Sequence, residues 1–182
     1  MERLNLKFKK EISPEIKKEK KLENVMQVPG LIKIVVNSGI GSFREKKEVV
    51  ESFTQELANI CGQKPYPRQA KKSEAGFKIR KGDTVGLAVT LRGDRMWAFL
   101  DKFINVALPR VRDFRGISNT AFDESGNYSI GIREHVIFPE VDPNSVKEIR
   151  NLQVTIVTNS KDKELNKLLL HKLGLPFRKD LQ

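Results

Sequence analysis

Cysteine, histidine, tryptophan and tyrosine are scarce in this chain. Of 182 residues, one is Cys, two are His, one is Trp and two are Tyr. Cys61 alone cannot form an internal disulfide, which excludes a disulfide-built secreted domain. His135 and His171 lie far apart and near no cysteine, so no zinc-ligand spacing exists, and no metal or other cofactor is expected. The longest apolar runs fall far short of a membrane span. The start, MERLNLKFKKEISPEIKKEKK, has no apolar core of the signal-peptide kind. These absences set the expectation of a cytoplasmic protein without a membrane partner. Sequence repeats are absent, and the only biased tract is the lysine-rich start. Enzyme signatures are weak too. Gly39-Ile40-Gly41 stands between an expected strand and an expected helix, but position 44 is Arg44, where the dinucleotide-binding pattern needs a third glycine. The turn reads as structural, with an RNA phosphate at the helix N-terminus as the functional option. No catalytic constellation is present.

What the chain has is positive charge. Lys and Arg number 34 against 23 Asp and Glu, a net +11, and the isoelectric point is near 9.8. That balance suits nucleic acid or an anionic surface. A 38% hydrophobic and 31% charged composition describes a globular protein with a highly charged exterior. The length allows one sizeable domain or two small ones, and one domain over 1–182 is expected. The charge is densest in Lys64–Gly82, KPYPRQAKKSEAGFKIRKG, which holds Lys64, Arg68, Lys71, Lys72, Lys78, Arg80 and Lys81 against the single acid Glu74. Pro65 and Pro67 fix an extended entry, and no helical or strand period runs through it. It reads as a long basic loop that gains order by meeting phosphates. A solvated surface loop is the competing reading.

Around this loop the chain alternates helix and strand. Residues 2–23 read as a charged helix, with Pro14 starting its second half. Leu31–Ser38 is a β-branched strand with Ile32, Ile34 and Val36 on one face and Lys33, Val35 and Asn37 on the other. A helix follows to about Cys61, with Ser42 and Glu45 as a capping box and Gly62 as its stop. Gln63 opens a short extended segment. Val85–Arg92 alternates, with Val85, Leu87, Val89 and Leu91 apolar and Gly86, Ala88, Thr90 and Arg92 opposite. Asp94 is the expected N-cap of a core helix, Arg95–Leu108, which Pro109 ends. A second basic cluster, Arg110–Gly116, comes next. Tyr128–Ile137 reads as a strand with Tyr128, Ile130, Ile132 and Val136 inward and Ser129, Gly131, Arg133 and His135 outward. A short helix is expected from Asp142-Pro143 to about Arg150, then a strand over Leu152–Thr158 and a helix over Lys161–Leu173 closed by Gly174. The expected class is α+β: an open, largely antiparallel, curved sheet with helices on one face.

The opposite face then collects Lys33, Asn37, Thr90, Arg92, Ser129, Gly131, Arg133, Gln153 and Thr155, which are small, polar or basic. A solvated antiparallel face is normally polar as well, and a one-residue error in strand phase would invert the assignment. No aromatic residue is expected on this face and no RNP-type motif is present, which argues against a binder that stacks single-stranded bases. The pattern favours a structured RNA read through its backbone and shallow groove.

Several stretches taken together resemble the bacterial form of the fifth-protein family of the large ribosomal subunit. They are NVMQVPGLIKIVVNSGIG, ELANICGQKPYPRQAKKS, GFKIRKGDTVGLAVTLRGDRMWAFLDKFINVALPRVRDFRG, FDESGNYSIGIREHVIFPE and LGLPFRK, from Asn24 to Lys179. The resemblance implies a non-enzymatic structural protein that binds 5S rRNA and helps hold it to large-subunit rRNA in the central protuberance, with a curved sheet facing the RNA. It carries 5S rRNA contacts onto the motifs holding Asn37, Gln63, Thr90 and Arg92, and Lys33 and Arg133 join them from the face described above. It carries contact with P-site tRNA onto the basic loop, with Arg68, Lys71, Lys72, Lys78, Arg80 and Lys81 as the cations. It implies neighbouring ribosomal proteins as partners, including one in the small-subunit head. That bridge between subunits is placed at Arg110–Gly116, with Arg110, Arg112 and Arg115, or at Glu140–Ser145. One departure is Ser73-Glu74-Ala75-Gly76-Phe77, where the family has a serine-rich run and where Glu74 lowers the local charge. The alternatives are a general structured-RNA binder or RNA chaperone, and a nucleotide-dependent enzyme using the Gly39–Gly41 turn.

Overall fold

The computed structural model describes residues 3–43, 46–143, 146 and 148–178. Among these, five strands form one sheet in the order β2-β3-β1-β5-β4, with β1 Leu31–Gly39, β2 Tyr66–Gln69, β3 Thr84–Leu91, β4 Tyr128–Ile132 and β5 Leu152–Thr158. The sheet is open and antiparallel with helices packed against it, the α+β class expected. The helices are α1 Arg3–Lys7, α2 Ser13–Glu19, α3 Lys47–Cys61, α4 Gly93–Lys102 and α5 Lys163–Lys172. The chain resolves into two compact units. The first is Met1–Ile34, Arg92–Ile130 and Thr155–Gln182; the second is Val35–Leu91 and Gly131–Val154.

In the first unit, a more widely wound π stretch, Phe8–Ile12, joins α1 to α2, and Pro14 stands in the first turn of α2. The helical segment stops at Glu19, four residues short of the expected end, because Lys21 turns left-handed at φ 50°. Phe8 packs on Trp97 of α4 at 5.5 Å between ring centroids. The N-cap of α4 is Arg92, not Asp94. Asp94 instead lies in the first turn, where its charge suits the helix dipole. Met96, Trp97, Phe99 and Leu100 are buried, as are Phe103, Ile104 and Ala107 in the π stretch that continues the helix. Asp162 caps α5 by accepting the Glu164 and Leu165 N–H groups. Gly126 is required as glycine. Its φ is +79°, and a Cβ there would stand 2.5 Å from Asn166 Nδ2 and from Ser160 O.

In the second unit, α3 buries Phe53, Leu57, Ile60 and Cys61 and ends at Gly62 in the left-handed conformation. Its N-cap, Lys46, makes no side-chain cap bond. Each buried apolar side chain contributes about 1.5–3 kcal/mol, more than the roughly 1 kcal/mol of a good cap, so burial holds this helix. Glu45 and the Ser42 side chain of the expected capping box lie outside the described residues. Gly41–Phe43 forms a separate 3-10 turn and α3 begins only at Lys47, so the Gly39–Gly41 turn does not stand at the helix N-terminus. Ile40 is buried and its N–H donates to the Val85 carbonyl.

Two expectations fail beyond β4. The strand ends at Ile132 rather than Ile137, so the alternation no longer holds and His135 is buried instead of outward. The helix expected from Asp142 to Arg150 is absent from its described residues; Asn144, Ser145 and Lys147 lie outside them. The physical reason is a set of contacts with residues distant in sequence. His135 N–H donates to the Arg150 carbonyl, and Arg150 N–H donates to His135 Nδ1, both at 3.0 Å. That pair takes up the Arg150 N–H, which a helix reaching Arg150 would donate four residues back. His135 Nε2 is 3.0 Å from Glu56 Oε2, and the Arg150 guanidinium lies 3.6 Å from the Phe43 ring centroid.

Candidate nucleic-acid interface

The interface candidate in the second unit is built from β1, β2, β3 and the basic hairpin. In β1, Ile34, Val36 and Ser38 are buried while Asn37 is exposed. Asn37 Oδ1 lies 3.8 Å from where a Cβ on Gly86 would stand, and Ser38 O is only 3.0 Å from it. Thr90 is half-buried on β3, and its carbonyl accepts a bond of 3.2 Å from Gln63 Nε2. Asn37, Gly86, Gln63 and Thr90 are therefore neighbours of one strand pair. Gln63 holds the β3 backbone as well as bordering the surface. Arg133 is exposed, one residue past the end of β4.

Lys33 and Arg92 belong to the first unit. Lys33 is half-buried on β1, whereas Arg92 is exposed before α4. Ile32, expected on the apolar face, is 44% exposed near the strand's start.

The basic segment is a hairpin rather than an unpatterned loop. Tyr66–Gln69 pairs antiparallel with β3, Tyr66 opposite Ala88 and Arg68 opposite Gly86. Beyond it, Ala70 N–H donates to the Asp83 carbonyl at 2.8 Å, and the Ala70 carbonyl accepts from Gly82 N–H at 3.0 Å. Glu74 and Ile79 exchange both backbone bonds, at 2.8 and 3.1 Å. A 3-10 turn, Ala75–Phe77, forms the tip, closed by Lys78 at φ 52°. Asp83 accepts the Arg80 N–H and Ser73 the Lys81 N–H. Glu74 thus acts through its backbone, as a rung of the ladder. Lys71, Lys72, Lys78, Arg80 and Lys81 lie on the arms and tip, with Arg68 at the base, and all six are exposed.

Two aromatic residues were missed. Phe77 is 74% exposed at the tip, and Tyr66 is 39% exposed on β2. Paired residues in an antiparallel ladder share a face, so Tyr66 lies on the Ala88 side, where no aromatic residue was expected. The pairing itself was the hidden signal: Pro67 and the lack of alternation conceal the strand.

Arg110, Arg112 and Arg115 are exposed in the first unit, around a turn with Asp113 at φ 51°. There the chain returns to the C-terminal segment, where Ile117 N–H donates to the Pro176 carbonyl and Arg178 N–H to the Ile117 carbonyl. Among the described residues, no group of three or more His, Cys, Asp or Glu side chains could hold a metal ion, and no helix is long and apolar enough to cross a membrane.

A basic hairpin and a small, polar strand strip are features many RNA-binding folds could share, so comparison with known proteins decides the family. The family described as ribosomal protein L5 matches residues 24–80, and the model of that family's C-terminal part matches residues 84–177. The chain belongs to the ribosomal protein L5 family. It is 50% identical over 178 residues to the large ribosomal subunit protein uL5 of Geotalea daltonii, covering 98% of this chain and 99% of that one. The uL5 proteins of Chloroflexus aurantiacus and Microcystis aeruginosa are each 49% identical, over 97% of this chain and 98–99% of theirs. As a member of the L5 family, the protein is a structural, non-enzymatic constituent of the ribosome, located in the cytoplasm.

Proposed function

We propose that the protein is a large-subunit constituent that binds 5S rRNA through Asn37, Gln63, Thr90 and Arg92, flanked by Lys33 and Arg133. In this reading, residues 1–182 act as one ribosomal-protein domain that joins 5S rRNA to large-subunit rRNA in the central protuberance. The basic hairpin, with Arg68, Lys71, Lys72, Lys78, Arg80 and Lys81, meets P-site tRNA. Arg110, Arg112 and Arg115 take part in a bridge to a small-subunit head protein. The observation that carries the reading is the β1–β3 strip, where the exposed Asn37 and half-buried Thr90 stand beside the buried Gly86 and Ala88. Asn, Thr and Arg side chains bond phosphates, 2′-hydroxyls and base edges.

The mechanism is static complementarity plus charge. With about six phosphates neutralised, affinity falls with salt at a log–log slope of about −4 to −5. The test is 5S rRNA titration by wild type, Thr90→Ala and Arg92→Ala. Thr90→Ala removes the hydroxyl but keeps the carbonyl that Gln63 uses, so folding is preserved. Weaker binding with an unchanged thermal midpoint supports the reading. Unchanged binding in both variants, or a flat salt response of the wild type, refutes it.

A further inference from the structure

Tyr66 is an unusual residue for its place. It sits on β2, an edge strand of the sheet, and its cross-strand partner is Ala88, with Gly86 opposite Arg68 two residues on. These small partners leave the tyrosine ring without a bulky cross-strand neighbour, and it stays 39% exposed. A solvent-facing aromatic on an edge would normally be a liability. Here the Arg68 guanidinium lies over the ring, its Cζ 4.9 Å from the centroid, so the two planar groups form one cationic, π-faced surface.

The neighbours define the ligand. A Cβ on Gly86 would stand 3.7 Å from Arg68 Cβ and 3.8 Å from Asn37 Oδ1, and exposed Lys64, Lys71 and Lys72 flank β2 in the sequence. Cations beside a planar π surface suit a nucleobase joined to phosphate, since every base has a face that stacks on Tyr or Arg. A paired base inside a helix does not offer that face, so the occupant is unpaired. Addition of a peptide strand to this edge is disfavoured, because Pro67 offers no N–H and Pro65 precedes the strand.

We propose that Tyr66 and Arg68 form a stacking platform for one unpaired nucleobase of the RNA bound to this strand strip. The inference rests on the 5S rRNA reading, moves Arg68 from the tRNA-facing set to the strand strip, and adds a base-stacking element to an otherwise backbone-reading surface.

The test compares wild type, Tyr66→Phe, Tyr66→Leu and Arg68→Lys in titrations of 5S rRNA at two salt concentrations, with thermal midpoints as the folding control. Leucine keeps the bulk and the net charge but removes the π face. Tyr66→Leu should bind at least about fivefold more weakly, the low end of what one stacked base supplies. Its salt slope should match the wild type, and Tyr66→Phe should bind like the wild type. Arg68→Lys should also weaken binding, because it keeps the charge and loses the plane. Equal affinity for Tyr66→Leu and wild type overturns the platform while leaving the 5S rRNA reading intact. If wild type shows no preference for 5S rRNA over a control RNA, that reading falls. The platform is then judged on a short oligoadenylate against a blunt duplex of equal length. Loss of oligoadenylate preference in Tyr66→Leu supports it, and no difference between the proteins overturns it.

Discussion

Lowering the pH should weaken the fold at one residue before any carboxylate titrates. His135 is fully buried, and burial holds its pKa below the ordinary value of 6.5. Its surroundings explain why the neighbouring Glu56 does not reverse that direction. Nδ1 accepts the Arg150 backbone N–H at 3.0 Å, so the neutral ring carries its proton on Nε2 and donates it to Glu56 Oε2. A second proton would have to sit on Nδ1, facing an N–H that can only donate. The Arg150 guanidinium, held by Glu148 at 2.8 Å and stacked on Phe43, adds like charge nearby.

The folded-state pKa is therefore depressed and the unfolded chain takes the proton first. Stability is fully present above pH 6.5 and declines as pH falls below it, until the folded pKa is reached. The decline is limited to about 1.4 kcal/mol per pH unit for one proton, worth a drop of roughly 2–4 °C in thermal midpoint per kcal/mol at this chain length. Asp123 and Glu148 have lowered pKa values, held down chiefly by bonds from Asn127 and Arg150. Their contributions are lost only below the ordinary carboxylate range, which leaves the interval from 6.5 to 5.5 to the histidine. The assay is urea unfolding of wild type and His135→Gln at pH 7.5, 6.5 and 5.5. Glutamine can accept from Arg150 and donate to Glu56 without titrating, so its stability should fall less between pH 6.5 and 5.5, by at most about 1 kcal/mol. Parallel pH profiles for the two proteins would refute the reasoning.

Further outcomes follow from the same structure. Replacing Lys71, Lys72, Lys78, Arg80 and Lys81 together with glutamine should spare 5S rRNA affinity and weaken P-site tRNA binding to ribosomes carrying the variant; loss of 5S rRNA binding would show that the hairpin and strip roles are wrongly divided. Gly126→Ala should cost about 2 kcal/mol or more in thermal unfolding, from the left-handed backbone and the displaced Asn166 amide. A midpoint within a degree of wild type would mean the 158–166 segment yields freely. As one domain, the chain should unfold in a single calorimetric transition, and two separated transitions would count against that assignment.

The strands β1, β3 and β5 were legible because one face of each carries β-branched and leucine side chains at period two, and Ile34, Val36, Val89, Leu91, Val154 and Ile156 are indeed buried. The helix ends at Gly62 and Gly174 were readable for a similar reason, since both glycines adopt positive φ. What stayed hidden depends on partners distant in sequence. Tyr66–Gln69 becomes a strand because β3 pairs with it, and Lys71–Lys81 becomes hairpin arms through the Ala70, Gly82 and Glu74–Ile79 bonds. Charge composition shows neither. His135 follows the strand's alternation in sequence, yet Glu56, 79 residues away, and Arg150 draw it inside. The strip residues Asn37 and Thr90 were legible from strand phase; the Tyr66 ring beside them required the register of an edge strand.

The central claim is tested most directly by competition binding at moderate salt, with the full chain, labelled 5S rRNA, and either unlabelled 5S rRNA or a folded control RNA of equal length. The account predicts that unlabelled 5S rRNA displaces the label at far lower concentration than the control. Equal displacement by the two RNAs would contradict it, leaving a basic protein held to RNA by charge alone.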